Sequence, residues 1–489
     1  RRRSTSFWKI LGERRIGSTI IRVPITFPPE EFAGRQLSAM CTPDLRGTQG
    51  SFSYFTTVPD SGSYEGGGRY PLDRDGDWLA GSLEGPPSAN GSLQIPFRIS
   101  AATLVLEIGG HRYPLRAGTY SDWIKLAFPA APGVSVKGMA RFLVTAAGPE
   151  FSLYVTPLQI DPEAPALPIS HPAYYSAYLA KLLGSYATAG MAEDTWALNE
   201  GVIDDAAFLE QAWATLAERE RMFETALEHT RRGVVACVFD TSDRVQHMFY
   251  RHLDTNGVIT NLYERMDRIV GKALEYADPE TVVMVLSDHG FCHFRRAVNL
   301  NTWLHRHGYL ALNGPSGKYF EGVDWTRTRA YCVGLSGLYL NLRGREAQGI
   351  VEPGDEAEAL KRELIEALSG LRDDERGEVA IRRVYATAQL YRGPYLESAP
   401  DLIAGYNEGY RVSWEAAVGQ LSSEVIEDNR KAWSGDHCVD PVLVPGVLFC
   451  NRPLDAADPG IEDMAPTALD LFGVEPPPWM DGRPLFRTA

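Results

Sequence analysis

Three short segments carry side chains of the kind that grip divalent metals. "DTSDRVQHMFYR" holds Asp243 and His247 four positions apart, "VLSDHGF" holds Asp288 beside His289, and "SGDHCVDP" holds His437. If the first segment is helical, a spacing of four puts Asp243 and His247 on one face. Carboxylates and imidazoles with no thiolate suit Zn²⁺ or a similar ion such as Mn²⁺. Five such donors exceed the needs of one tetrahedral zinc and fall short of two complete sites unless others join. Paired metals about 4 Å apart clamp the attacking and leaving oxygens of phosphoryl transfer.

Each segment also has a plain structural reading. Asp243 and His247 make an ordinary solvated helix pair. Asp288 is a good helix N-cap, with His289 structural behind it. His437 alone is a loop histidine. The conjunction favours one site, because two of the segments directly follow apolar strands and the third precedes one.

Those strands are "VVACVF" (Val234 to Phe239) and "TVVMVL" (Thr281 to Leu286), with the amphipathic "ITNLYERMDRIVGKALEYA" between them. All-apolar strands alternating with helices predict a parallel sheet covered on both faces, and ligands bind beyond the carboxyl ends of such strands. Upstream, "SFWKILGERR" and "STIIRV" predict a helix and a strand. Thr42 to Asn90, rich in Gly, Pro, Ser and Asp, reads as long loops. The runs "ATLVLEI", "DWIKLAF", "ARFLVTA" and "FSLYVTPLQI" predict a small all-β insert, and "DDAAFLEQAWATLAERERMFETALEHTRR" predicts helix. Near the end, "DMAPTALDLFGV" reads as a helix closed by Gly473. The expected organisation is the start of an α/β core over 1–92, a β-rich insert over 93–160, a helical cap-like segment over 161–232, and the main metal-binding core over 233–489. The insert and cap are expected to overhang the site and choose the substrate.

The 489 residues carry a net charge of −15. That balance argues against sequence-independent binding of nucleic-acid polymers, which depends on neutralising phosphates with cations. An anionic substrate would need a local source of positive charge, which a bound metal supplies. No apolar run is long enough to span a membrane. The six cysteines are scattered without a C-x-x-C pair, which points to reduced thiols and a cytoplasmic location.

"DRVQH", "SDHGF" and "SGDH", in this order, resemble the alkaline phosphatase superfamily. The likeness is to its type I phosphodiesterase and nucleotide pyrophosphatase branch and to bacterial phosphohydrolase and phosphomutase relatives. "FWKILGERR…VPITFPPEEFAG", "PDLRGTQGSF", "NLNTWLHRHGYL" and "APTALDLFGVEPPPWMDGRPL" extend the resemblance over nearly the whole chain. It implies a three-layer α/β sandwich with a mostly parallel central sheet. It also implies two divalent ions, zinc first and manganese second. Asp243, His247 and His437 would hold one ion, and Asp288 and His289 the other. The implied activity is metal-dependent hydrolysis of a small phosphate ester, with phosphomutase or sulfatase chemistry as the rival in the same class. A non-catalytic metal-binding interaction protein is the rival outside it.

The superfamily completes its site with an Asp and a Thr or Ser nucleophile near the N-terminus, and no segment of this chain matches them. The expectation is that they lie upstream of Arg1, with a homo-oligomer left open. Other signals are set aside. "CTPDLR" (Cys41 to Arg46) misses the sulfatase C-x-P-x-R spacing by one place. "DRDGD" (Asp73 to Asp77) is a solvated turn rather than a calcium loop. "EGGGRY" lacks dinucleotide-binding spacing. His293, Arg295 and Arg296 fit a solvated rim as well as contact with an anionic substrate, and Cys438 fits a packed thiol rather than a thiolate ligand. Asn90-Gly91-Ser92 is a glycosylation sequon only in a secreted chain.

Overall fold

A computed structural model describes residues 3–59, 62–253, 255 and 257–486. The chain is mixed α/β with several sheets, and it divides into two compact units. The first comprises Arg1–Val245, Asn261–Met284 and Cys450–Ala489; the second comprises Gln246–Thr260 and Val285–Phe449. Among the described residues no helix is long and apolar enough to cross a membrane.

In the first unit the strands predicted at Ser18 and Val234 are present, whereas only Met284–Leu286 of the run predicted over Thr281 to Leu286 forms a strand. Ser18–Ile21 lies parallel to Gly34–Leu37 on one side and to Val234–Cys237 on the other, with Ser18 opposite both Gly34 and Val234. Ser170–His171 adds a short antiparallel strand beyond Gly34–Leu37. The helix Asp205–Glu228 starts where Asp204 accepts from the Ala207 amide at 2.8 Å, a side-chain N-cap. It turns Met222 and Ala226 towards Ile21 and Leu37 of the sheet. Ser18–Ile21 is buried at all four positions, whereas all four side chains of Val234–Cys237, the last strand in this sheet's order, are half-buried.

The stretch Thr42 to Asn90 corrects the loop expectation. It carries the strands Phe52–Thr56, Gly67–Pro71, Asp73–Asp75 and Trp78–Ser88. Its glycines are there for packing. A Cβ on Gly81 would stand 2.6 Å from the Phe97 ring, and one on Gly85 would stand 2.2 Å from the Phe128 ring. The glycines make room for aromatic rings from neighbouring strands, and a register shift between Glu84 and Pro87 accommodates the prolines. The resulting β-rich part holds a five-stranded antiparallel sheet from Asp73 to Pro114, with four- and three-stranded sheets against the same core. Phe55, Leu79, Leu83, Phe97, Phe128, Phe142 and Leu153 fill that core.

The second unit is organised around Cys292–Val298. That strand pairs parallel with Gly409–Val412 and antiparallel with Ile426–Asp428 and with the short Gly435–Asp436. An antiparallel sheet of Ala330–Val333, Gly337–Leu340, Leu402–Tyr406 and Ile381–Ala386 shares its core with the helix Asp355–Leu368, which buries Leu360, Leu364 and Leu368 at four-residue spacing.

Candidate metal centre

The helix predicted for the first segment spans Thr241–Phe249. Buried charges of the first unit fix its entrance. Asp240, the preceding residue, pairs with the guanidinium of Arg22 at 2.7 Å, and Arg22 also donates to the Ala189 and Gly190 carbonyls, both at 3.0 Å. Thr241 donates its hydroxyl to Glu193. Burial raises the Glu193 pKa, helped by the charge of Asp240. Burial also works on Asp240, but Arg22, Arg219 and Arg244 overcome it and hold its carboxyl below the usual range. Asp243 sits in the first turn of this helix, with its carboxylate against the guanidinium of Arg244. His247 follows one turn later.

Within the second unit His247, His289 and His437 come together. The His289 and His437 rings stack with centroids 3.6 Å apart and planes 12° apart, and the His247 and His437 centroids are 5.1 Å apart. Phe291 borders all three, at 4.9 Å from His247, 5.5 Å from His289 and 5.4 Å from His437. Asp288 stands apart from the imidazole cluster: its side chain is 70 % exposed and its carboxylate lies 3.6 Å from Nε2 of His289.

Strand pairing makes this convergence. Cys292 is opposite Asp436 and His293 is opposite Gly435, so the residues just before one strand meet the residue just after the other. The turn carrying Asp288 and His289 is tied to a second segment. Ser287 donates its amide to the Val447 carbonyl at 3.0 Å, and Gly290 donates to Val444 at 2.9 Å. A Cβ on Gly290 would come within 2.9 Å of the Pro445 carbonyl oxygen, so this position needs glycine for close approach.

The donor set suits a metal. Nδ1 of His247 donates to the Gly435 carbonyl at 2.8 Å, and Nδ1 of His289 lies 3.0 Å from the Gly290 carbonyl. A carbonyl can only accept, so in the neutral rings the proton is on Nδ1 and the lone pair is on Nε2, as in metal-ligating histidines. The ligand atoms of His289 and His437 lie within 4.8 Å of each other.

Sequence reasoning missed what builds the third segment. Trp433 lies against His247 with centroids 3.8 Å and planes 31° apart, and Asp436 is 1 % exposed. Burial disfavours the Asp436 charge, but Arg411 foremost, then His247, the Cys438 amide and Trp433, pull its pKa down to about 2. Asp436, His437 and Cys438 are close enough together to resemble a ligand triplet. Asp436 is instead committed to its own loop and to Arg411. "WSGDH" held the available signal. Its glycine is required, since a Cβ on Gly435 would stand 2.6 Å from Cβ of Tyr250 and 2.7 Å from the Gln246 carbonyl oxygen. Nothing near Arg411 in the sequence marks its role.

The family model for type I phosphodiesterase / nucleotide pyrophosphatase matches residues 139–429, more than half of the chain. The chain belongs to this family. It is thereby a member of the alkaline phosphatase superfamily. The matched segment of this phosphodiesterase family member includes Asp243, His247, Asp288 and His289, and His437 follows it. No curated protein matches the chain.

Proposed function

We propose that the protein hydrolyses phosphate esters at a two-metal site held by Asp243, His247, Asp288, His289 and His437. The observation that carries this reading is the meeting of three imidazoles from three separate segments within one unit. Family membership supports the reaction class. The shared helix supports adding Asp243, one turn from His247. Asp288 enters through its neighbour His289, from whose Nε2 its exposed carboxylate lies 3.6 Å.

Bound zinc, or manganese in its place, would supply Lewis-acid charge for the developing negative oxygens of the transferring phosphoryl group. The carbonyls of Gly435 and Gly290 keep Nε2 of His247 and His289 as the donor atoms. The alkaline-phosphatase-type sandwich is part of the same reading. The six cysteines, all free thiols, fit the cytoplasm.

The test combines metal analysis with a substrate panel. About two divalent ions per active chain are expected, with turnover of p-nitrophenyl phosphate or bis-p-nitrophenyl phosphate above that of p-nitrophenyl sulfate. His289→Ala and Asp243→Ala should abolish turnover while leaving the circular dichroism spectrum intact. Wild-type turnover in either folded variant would overturn the assignment, and preference for the sulfate ester would favour the sulfatase reading.

A further inference from the structure

We propose that Asp436, paired with Arg411, is a positioning residue that fixes the backbone of the His437 loop and so presents its imidazole beside His289. One oxygen, Oδ1, accepts from the amides of both His437 and Cys438 at 2.8 Å. The other, Oδ2, accepts from the Trp433 indole N–H at 2.8 Å and lies 2.6 Å from Nε of Arg411. The carboxylate thus ties the residues on both sides of it, while the Trp433 ring it anchors lies against His247. Arg411 cannot follow the loop if it moves. Its guanidinium is held between Phe294 at 5.3 Å and Trp414 at 4.3 Å, and Nη1 donates to the Val412 carbonyl at 3.1 Å. It is 3 % exposed. A buried, stacked guanidinium on the parallel strand Gly409–Val412 therefore acts as a fixed post for a loop that has almost no regular structure of its own. Such partners behind a metal ligand set its orientation, and losing them typically weakens metal binding about 10–100-fold.

The metal consequence rests on the proposed function; the positioning of His437 does not. Asp436→Asn keeps an acceptor for the two amides but turns an NH₂ towards the indole N–H and the guanidinium, donor against donor. Because this leaves Arg411 buried without its charge partner, the double variant Arg411→Met/Asp436→Asn provides a second test that removes both charges. Two measurements are made on each folded variant: zinc affinity by competition with a chelating dye, and hydrogen exchange of the peptide covering 433–438. Zinc binding weakened about 10–100-fold, with exchange rising at the His437 and Cys438 amides and unchanged in the Asp355–Leu368 helix, supports the proposal. Wild-type zinc affinity with unchanged exchange overturns it, and so does exchange that rises throughout the unit. If the unmodified protein binds no zinc, the proposed function fails, and the exchange at 437 and 438 alone decides the role of Asp436.

Discussion

At the residue scale, the site depends on positions where a side chain must be absent as much as on those where it must be present. Gly435 lets the loop lie against Tyr250 and Gln246, so that its carbonyl reaches Nδ1 of His247. Gly435→Ala would force a methyl into those contacts. Overpacking of this kind costs about 1–3 kcal/mol, which urea unfolding should register as a lower midpoint with unchanged slope. A midpoint equal to that of the parent would show that the loop can shift away at no cost. The five ligand candidates stand out in the sequence because their types, and for four of them a place just after an apolar run, are local features. Asp436 was hidden, since an aspartate beside a histidine looks the same whether it binds metal or braces a loop.

At the element scale, buried acids at helix starts are sensitive to pH. Asp194 caps the helix Thr195–Asn199, accepting from the Ala197 amide at 2.9 Å and from the Tyr154 hydroxyl at 2.6 Å. Burial foremost raises its pKa to about 6, against the Tyr154 and amide hydrogen bonds. The native state then binds more protons than the unfolded chain between about pH 4 and 6. The contribution of Asp194 is fully present below its unfolded pKa and is lost as pH rises through 6. For a carboxyl raised this far above its ordinary value, that contribution is about 3 kcal/mol. Asp194→Asn keeps a capping acceptor and does not titrate, so it should flatten the fall in unfolding free energy between pH 4 and 6. An unchanged pH profile would show that Asp194 is not the responsible group. The elements themselves were mostly readable from the sequence: the strands Ser18–Ile21 and Val234–Cys237 and the helices Asp205–Glu228 and Val258–Glu275 follow apolar periodicity. The strands between Phe52 and Ser88 were not, because Gly81 and Gly85 signal loops locally and find their reason only in Phe97 and Phe128, distant in sequence.

At the scale of the whole molecule, metal binding and stability are linked. An ion that binds the native state alone stabilises it by about 2.7 kcal/mol at a free concentration of 100 times its dissociation constant. Adding a chelator should therefore lower the thermal midpoint, zinc should restore it, and His289→Ala should respond less to either. A midpoint indifferent to chelator in metal-loaded protein would argue against a ligand set of this strength. The net charge of −15 makes a local cation all the more necessary for an anionic ester. By itself the sequence determined the residue types, the helical spacing of Asp243 and His247, the apolar strands that precede two of the segments, and the family. These follow from short-range rules of periodicity and chemistry. Only the tertiary structure decided that His289 stacks on His437, that Trp433 lies on His247, and that Arg411 holds Asp436. Each of those contacts joins residues brought together by strand pairing and burial, and the chain's local pattern does not encode which distant segment will fill a given space.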